Sequence, residues 1–290
     1  MSSSETRYRF FLIKPFRLPP ESPYAFEPGS HDGDTPQLMN YDHLEYKRLL
    51  DDVRWEVHSG PLAPYGDWMV ENREEFAIVG AAVLPIVRQA CESGKWNAII
   101  LLGGGEPGVF AAREIGKKHA IPVVSVGHAQ MHVASMLGSR FSVIDLADNH
   151  SSHYASQIVQ HGMADRCASI RLIDFPLPRP NHETPRSLAG ERDKALRGEP
   201  CEAVGEAVQA AAAAVEEDGA DVIMFGCSLT FWLQPFVQSG LKDLGWDVPV
   251  LEGFSCAISQ ARLLVDLGLD ASGVAFPPDR PRRLHRKKLV

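Results

Sequence analysis

The chain has no Cys-x-x-Cys pair, no apolar run of the roughly 18–20 residues that span a bilayer, and no surplus of basic residues. Each absence removes a class of protein. The five cysteines, Cys91, Cys167, Cys201, Cys227 and Cys256, form an odd set whose spacing fits neither a disulfide framework nor a zinc knuckle. Most are expected to be small buried thiols. With 37 acidic against 29 basic residues and a net charge of −8, no nucleic-acid partner is expected, and no membrane partner either. Met1-Ser2-Ser3-Ser4 leads into an apolar stretch without a separate signal-peptide core, so the expected location is the cytoplasm. The glycine-rich turn at 103–108 is not followed by Gly-Lys-Ser/Thr. Nor does an acidic residue follow a strand about twenty residues on, so Walker-type and dinucleotide sites fit poorly.

What is present is an ordinary globular composition, 44% hydrophobic and 23% charged. A length of 290 residues suggests about two domains or lobes. Short apolar runs at 8–13, 53–58, 98–102, 123–126, 141–145, 169–174, 222–225 and 248–252 alternate with helix-like stretches. That alternation predicts parallel sheets covered by helices. Asn72 with Glu75 forms a capping box that opens a helix toward Ser93-Gly94, and Pro85 inside it predicts a kink. Another helix is expected to begin at Pro107 and end on Lys117-Lys118. The alanine-rich stretch 201–218 should stop at Gly219. The proline-rich segments 17–37 and 175–185 predict long loops, each either a lid over a site or surface decoration. The basic stretch 280–290 is expected to be a solvated terminus.

Two segments resemble each other. Asn97-Ala-Ile-Ile-Leu-Leu-Gly103-Gly104-Gly105 aligns with Asp221-Val-Ile-Met-Phe-Gly226-Cys227-Ser228-Leu229. Each is followed by a similar second strand, Ile121-Pro122-Val123 or Val248-Pro249-Val250. This repeat predicts an α/β fold of two pseudo-symmetric lobes, each a parallel sheet flanked by helices, with the active site in the cleft between them. The expected boundaries are 1–126 plus 252–290 for one lobe, carrying the 17–37 insertion, and 127–251 for the other.

The two strand tips differ chemically. Cys227 falls between a strand and a helix, where backbone N–H groups favour a thiolate that could act as nucleophile or acid/base. A buried strand-end cysteine without a role is the competing reading. At the matching position stands Gly103. The turn Gly103-Gly104-Gly105-Glu106 suits a carboxylate-binding nest or an oxyanion hole. His128 and His132 lie one helical turn apart, but spacing supplies no third ligand and no metal is expected. His128, directly after a strand, is a candidate site residue, and His132 reads as a satisfied, partly buried histidine.

These motifs together resemble the Asp/Glu/hydantoin racemase superfamily, and within it the hydantoin racemase branch. The resemblance is carried by Gly103-Gly104-Gly105-Glu106-Pro107-Gly108 with Ala111-Ala112-Arg113-Glu114, by Val126-Gly127-His128-Ala129 through Phe141, and by Gly226-Cys227 followed by Val248-Pro249-Val250. It implies a cofactor-free enzyme with two cysteines on opposite faces of a substrate carbon. Cys227 matches the second, and the first falls on Gly103. The resemblance therefore implies a racemase or isomerase moving a proton α to a carbonyl or carboxylate, with His128 or Glu106 as the missing base. A glycine at the first position is similar to the arylmalonate decarboxylase type, which gives a single-cysteine decarboxylase as the alternative, and a non-catalytic carboxylate-binding member as a third. The implied partner is a small carboxylate or hydantoin-like molecule held by Gly103, Gly104, Gly105, Glu106, Ser228 and Leu229; a homo-oligomer is left open. The family's Asn-Pro-Asn is Lys14-Pro15-Phe16 here, so Lys14 either favours an anionic substrate or is a surface lysine.

Overall fold

A computed structural model describes residues 6–21, 45–66, 68–177, 179 and 186–277. The first sheet contains β1 (Tyr8–Ile13), β2 (Val53–His58), β3 (Ala98–Leu101) and β4 (Val123–Ser125), all parallel, in the order β2-β1-β3-β4. The second contains β5 (Phe141–Asp145), β6 (Cys167–Leu172), β7 (Val222–Phe225) and β8 (Val250–Leu251), also parallel, in the order β6-β5-β7-β8. The two orders are the same permutation, so the expected pair of pseudo-symmetric α/β units is present. The terminal basic stretch and most of the 17–37 segment lie outside the described residues, as do 178 and 180–185.

The inner strands form as continuous apolar runs because both faces of each sheet are covered, whereas the edge strand β2 alternates buried Val53, Trp55 and Val57 with exposed Arg54 and Glu56. In the first sheet Phe11, Ile13, Ile99, Leu101 and Val123 pack under α1 (Arg73–Glu92) and α2 (Val109–Lys118). Their neighbours Phe10, Leu12, Ile100 and Val124 face the other way, toward α8 (Gly253–Leu267) and the 3₁₀ turn at Glu45–Leu50. In the second sheet Phe141, Val143, Val222 and Met224 meet α3 (Val126–Leu137) and α4 (Asp148–Gln160). Ile144, Ile223 and Phe225 share a core with the alanine face of α6 (Glu202–Glu216) and with α7 (Gln234–Asp243). A short α5 (Leu188–Leu196) precedes α6. Among the described residues no helix is long and apolar enough to cross a membrane.

Two local expectations need correction. The helix expected from Pro107 begins at Val109, because Glu106 (φ 46°) and Gly108 (φ 76°) are left-handed and cannot belong to a right-handed helix. The alanine-rich helix ends at Glu216, with Gly219 (φ 73°) turning the chain afterwards. Pro85 lies inside α1, which extends to Glu92. The capping box is as expected: Asn72 Oδ1 accepts from Glu75 N at 3.0 Å, and Glu75 Oε2 accepts from Asn72 N at 3.2 Å.

Glu75 has a second task, since it also ties the two halves of the molecule together. The Arg179 guanidinium, beyond the end of β6, forks onto Glu75 at 2.5 and 2.8 Å and reaches Glu71 at 3.2 Å. Burial alone would raise the Glu75 carboxyl. Arg179 and the amides of Glu71 and Asn72 overcome it and hold the group at about 2. A depressed carboxyl stabilises the fold above its unfolded value of about 4.5 and loses that contribution as pH falls toward 2. Arg179→Met should therefore cost about 3 kcal/mol near neutral pH. The gap in melting temperature from wild type should narrow as pH drops through that window; a gap independent of pH would refute the assignment.

Candidate active site

The carboxyl ends of the two sheets point at each other, and they approach so closely that only glycine fits. A Cβ at Gly104 would stand 1.9 Å from the carbonyl oxygen of Gly226, backbone against backbone. Around this contact lies a cavity lined from the first sheet by Lys14, Arg17, Ser59 and Gly103–Gly105, and from the second by His150, Cys227, Ser228 and Leu229. Phe16, Leu18, Met69, Val70, Phe76 and Leu177 complete it with apolar surface. From the two loops read as lid or decoration, Arg17, Leu18, Pro20 and Leu177 thus take part in the wall.

Cys227 is buried, 7% exposed, and follows β7 directly as the residue before a 3₁₀ turn at Ser228–Leu233. Its neighbour across the sheet is set by register. Ile144 pairs with Phe225, and Gly226 N donates to Ile144 O at 3.0 Å, which brings Asp145 alongside Gly226. Gly226 has to lack a side chain, since a Cβ there would lie 2.6 Å from the Asp145 carboxyl carbon. Asp145 is fully buried and its Oδ2 meets His150 Nδ1 at 2.7 Å, while Oδ1 accepts from Leu146 N at 2.8 Å. Cys227 lines the same cavity as His150, and its sulfur favours the charged form of the imidazole. Burial alone would push the His150 imidazole down. The Asp145 carboxylate and the Cys227 sulfur reverse the sign and hold it well above the ordinary histidine range.

The sequence offered no pattern that singled out His150 or Asp145. The available signal was Asp145 at a strand end with His150 five residues later on the first turn of a helix, but its meaning depends on β5 lying beside β7.

The glycine turn carries donors. Among the described residues, the backbone N–H groups of Gly104, Gly105, Ser228 and Leu229 find no protein acceptor. Amides without acceptors, converging on one cavity from two strand tips, are suited to a carboxylate or an enolate oxygen. The Gly105 carbonyl is turned the other way, accepting from His153 Nε2 at 2.9 Å and Gln157 Nε2 at 2.5 Å. Gly105 also cannot carry a side chain, because its Cβ would lie 2.3 Å from the Phe76 ring.

Two expected site residues are not in the cavity. Glu106, the next residue of the turn, is buried behind it: Oε1 accepts from His128 N at 2.6 Å and Oε2 pairs with His161 Nε2 at 2.6 Å. Burial would raise Glu106, yet the His161 contact and the His128 amide outweigh it and lower the carboxyl. His128 lies in the same cluster, with His132 Nε2 2.9 Å from its own Nε2. Burial first, then Arg113 and His132, press its imidazole down to about 3. The geometry thus gives Glu106 and His128 the work of fixing the turn to the start of α3 rather than that of the missing base. Lys14, in contrast, is no surface lysine; it is 4% exposed and lines the cavity. Among the described residues, no group of three or more His, Cys, Asp or Glu is arranged to hold a metal ion.

This architecture has known counterparts. A hydantoin racemase of Pseudomonas sp. (strain NS671) is 31% identical over 190 residues, 66% of this chain and 66% of its own length. A hydantoin racemase of Paenarthrobacter aurescens is 28% identical over 207 residues, covering 71% and 78%. Allantoin racemase from Pseudomonas fluorescens superposes with a TM-score of 0.66 at 22% identity, over 96% of this chain and 99% of that one. Unliganded arylmalonate decarboxylase does so at 0.51 and 15%, over 89% and 92%. The latter two likenesses concern the fold alone. The model of the Asp/Glu/hydantoin racemase family matches residues 47–261, and the chain belongs to that family.

Proposed function

We propose that the protein is a cofactor-independent racemase or isomerase that moves a proton at a carbon α to a carbonyl or carboxylate, with Cys227 as an acid/base. The observation that supports this best is the buried Asp145–His150 pair set against the Cys227 thiol at the wall of the cavity. We take the reacting cleft to lie between a lobe of residues 1–126 with 252–290 and a lobe of residues 127–251. The substrate class we favour is a hydantoin-like ring or an amino-acid derivative, in keeping with the names of the relatives.

In this reading the reacting form of Cys227 is its thiolate, and the Asp145–His150 pair holds a positive charge on the same cavity wall. The sulfur removes the α-proton, and the C–H electron pair passes into the adjacent carbonyl. The resulting enolate oxygen sits against the amides of Gly104 and Gly105 or of Ser228 and Leu229. Return of a proton to the carbon completes the cycle. The single-cysteine decarboxylase is kept as a second reading for one reason: Gly103 places no side chain on the opposite face, and loss of carbon dioxide would need no base there.

The discriminating experiment incubates the protein in deuterated water with D- and L-5-benzylhydantoin, D- and L-allantoin and phenylmalonate. Exchange at the α-carbon is followed by NMR, optical rotation by polarimetry, and release of carbon dioxide separately. Solvent deuterium at the α-carbon without decarboxylation supports the first reading, whereas carbon dioxide with one-face deuterium supports the second. Cys227→Ser should lower racemization by about 10³-fold or more; an unchanged rate of racemization would end the assignment. His150→Asn removes the cation from the cavity wall that carries the sulfur, so it should slow exchange by about 10²-fold.

A further inference from the structure

Inversion at carbon needs a proton acceptor on one face and a donor on the other, and the tip opposite Cys227 is closed to side chains. A Cβ at Gly103 would lie 2.6 Å from Pro15 Cβ and 3.0 Å from Pro15 Cγ, so the proline ring occupies the space a side chain would need. The second proton carrier must come from an adjacent strand end.

The internal symmetry identifies that strand end. Ile13 pairs with Leu101 as Ile144 pairs with Phe225, and Leu102 N donates to Ile13 O at 2.9 Å as Gly226 N donates to Ile144 O at 3.0 Å. Counting one residue onward on the shorter-numbered strand and two on its partner, Lys14 stands to Gly103 as Asp145 stands to Cys227. The residue that supports the thiol on one tip thus has a lysine as its counterpart on the tip that has no thiol. Lys14 is buried and faces the same cavity.

Among the described residues, the other protic side chains that line the cavity from the first sheet's side are Arg17 and Ser59. A guanidinium keeps its proton at any working pH. A serine hydroxyl gives one up only with a neighbouring base. An amine buried in a protein is the group of the three that cycles readily between charged and neutral forms.

We propose that Lys14 is the acid/base for the face opposite Cys227, so that a thiol and an amine share the proton transfer. The proposal rests on the proton-transfer reading above. In one direction the Cys227 thiolate takes the α-proton and becomes a thiol, and the electron pair enters the carbonyl. The Lys14 ammonium then delivers a proton to the other face as the enolate pair returns to carbon, leaving a neutral amine. The thiol and amine so formed run the reverse direction on the product enantiomer, or exchange protons with water to regenerate thiolate and ammonium.

The test uses D- and L-5-benzylhydantoin, with D- and L-allantoin in parallel, in deuterated water, on wild type, Lys14→Met, Lys14→Arg and Cys227→Ser. Both lysine variants should lose racemization by about 10³-fold. They should keep Cys227-dependent exchange of one enantiomer with retention of configuration, and Cys227→Ser should keep exchange of the other. Lys14→Arg retains the positive charge, so it separates proton transfer from simple binding of an anion, and it decides the matter if Lys14→Met does not fold. Racemization by Lys14→Arg at near the wild-type rate overturns the proposal while the Cys227 assignment stands. Loss of exchange from both enantiomers in folded Lys14→Arg also overturns it, since the lysine would then serve binding. Absence of any exchange with wild type removes the proton-transfer reading, and this proposal with it.

Discussion

The close approach of two strand tips, Gly104 against the carbonyl of Gly226, is the constraint on which the rest of the site depends. The chain at position 104 can come this close to the Gly226 carbonyl only without a side chain, and Gly226 in turn has to leave room for the Asp145 carboxylate. Once they meet, everything at the ends of the two sheets is forced into one small volume. Amides of Gly104 and Gly105 come together with those of Ser228 and Leu229, and Cys227 faces the turn across the cavity. A side chain at position 104 would push the sheets apart, and a one-sided site would remain.

Each tip is then braced from behind. On the second sheet the brace is ionic, with Asp145 fixing His150 in the same cavity wall as Cys227. On the first sheet it is a network around the turn, with His153 and Gln157 on the Gly105 carbonyl and Glu106 between the His128 amide and His161. These hydrogen bonds hold the glycine turn, whose Gly103–Gly105 have no side chains of their own for packing. Across the mouth, Arg179 on Glu75 and Glu71 ties the segment after β6 to the start of α1. The helix start that Glu75 caps is thus also an anchor between the two halves.

The division of labour between histidines illustrates how far sequence alone carries. His128 stood out because it follows a strand directly in a matching motif, and it turns out to be pressed into a neutral, buried role by burial and by Arg113 and His132. His150 stood in a helix without a visible pattern and is the one that lines the cavity with the thiol. Both lie near strand ends; the difference is which face of the second sheet's rim each helix presents, and that depends on packing between elements. Lys14 shows the same limit in another form. As one residue in a string it was equally a surface lysine, and only burial beside Gly103 gives it chemical weight.

What the sequence determined by itself was the local and periodic part of the molecule. Strands buried on two faces must be continuous apolar runs, edge strands such as β2 alternate instead, and both patterns were visible, while a repeated strand–turn pattern announced two similar sheets. The capping box at Asn72 and the contrast between Gly103 and Cys227 were legible for the same reason, because they involve residues close in the chain. Tertiary structure decided the partnerships across strands: Asp145 beside Gly226, His150 beside Cys227, Pro15 filling the space at Gly103, Arg179 on Glu75. Hydrophobic periodicity records that a residue is buried and on which side. It carries no record of which distant polar group will be waiting there, since that is fixed only when the parallel register sets one strand end against the next.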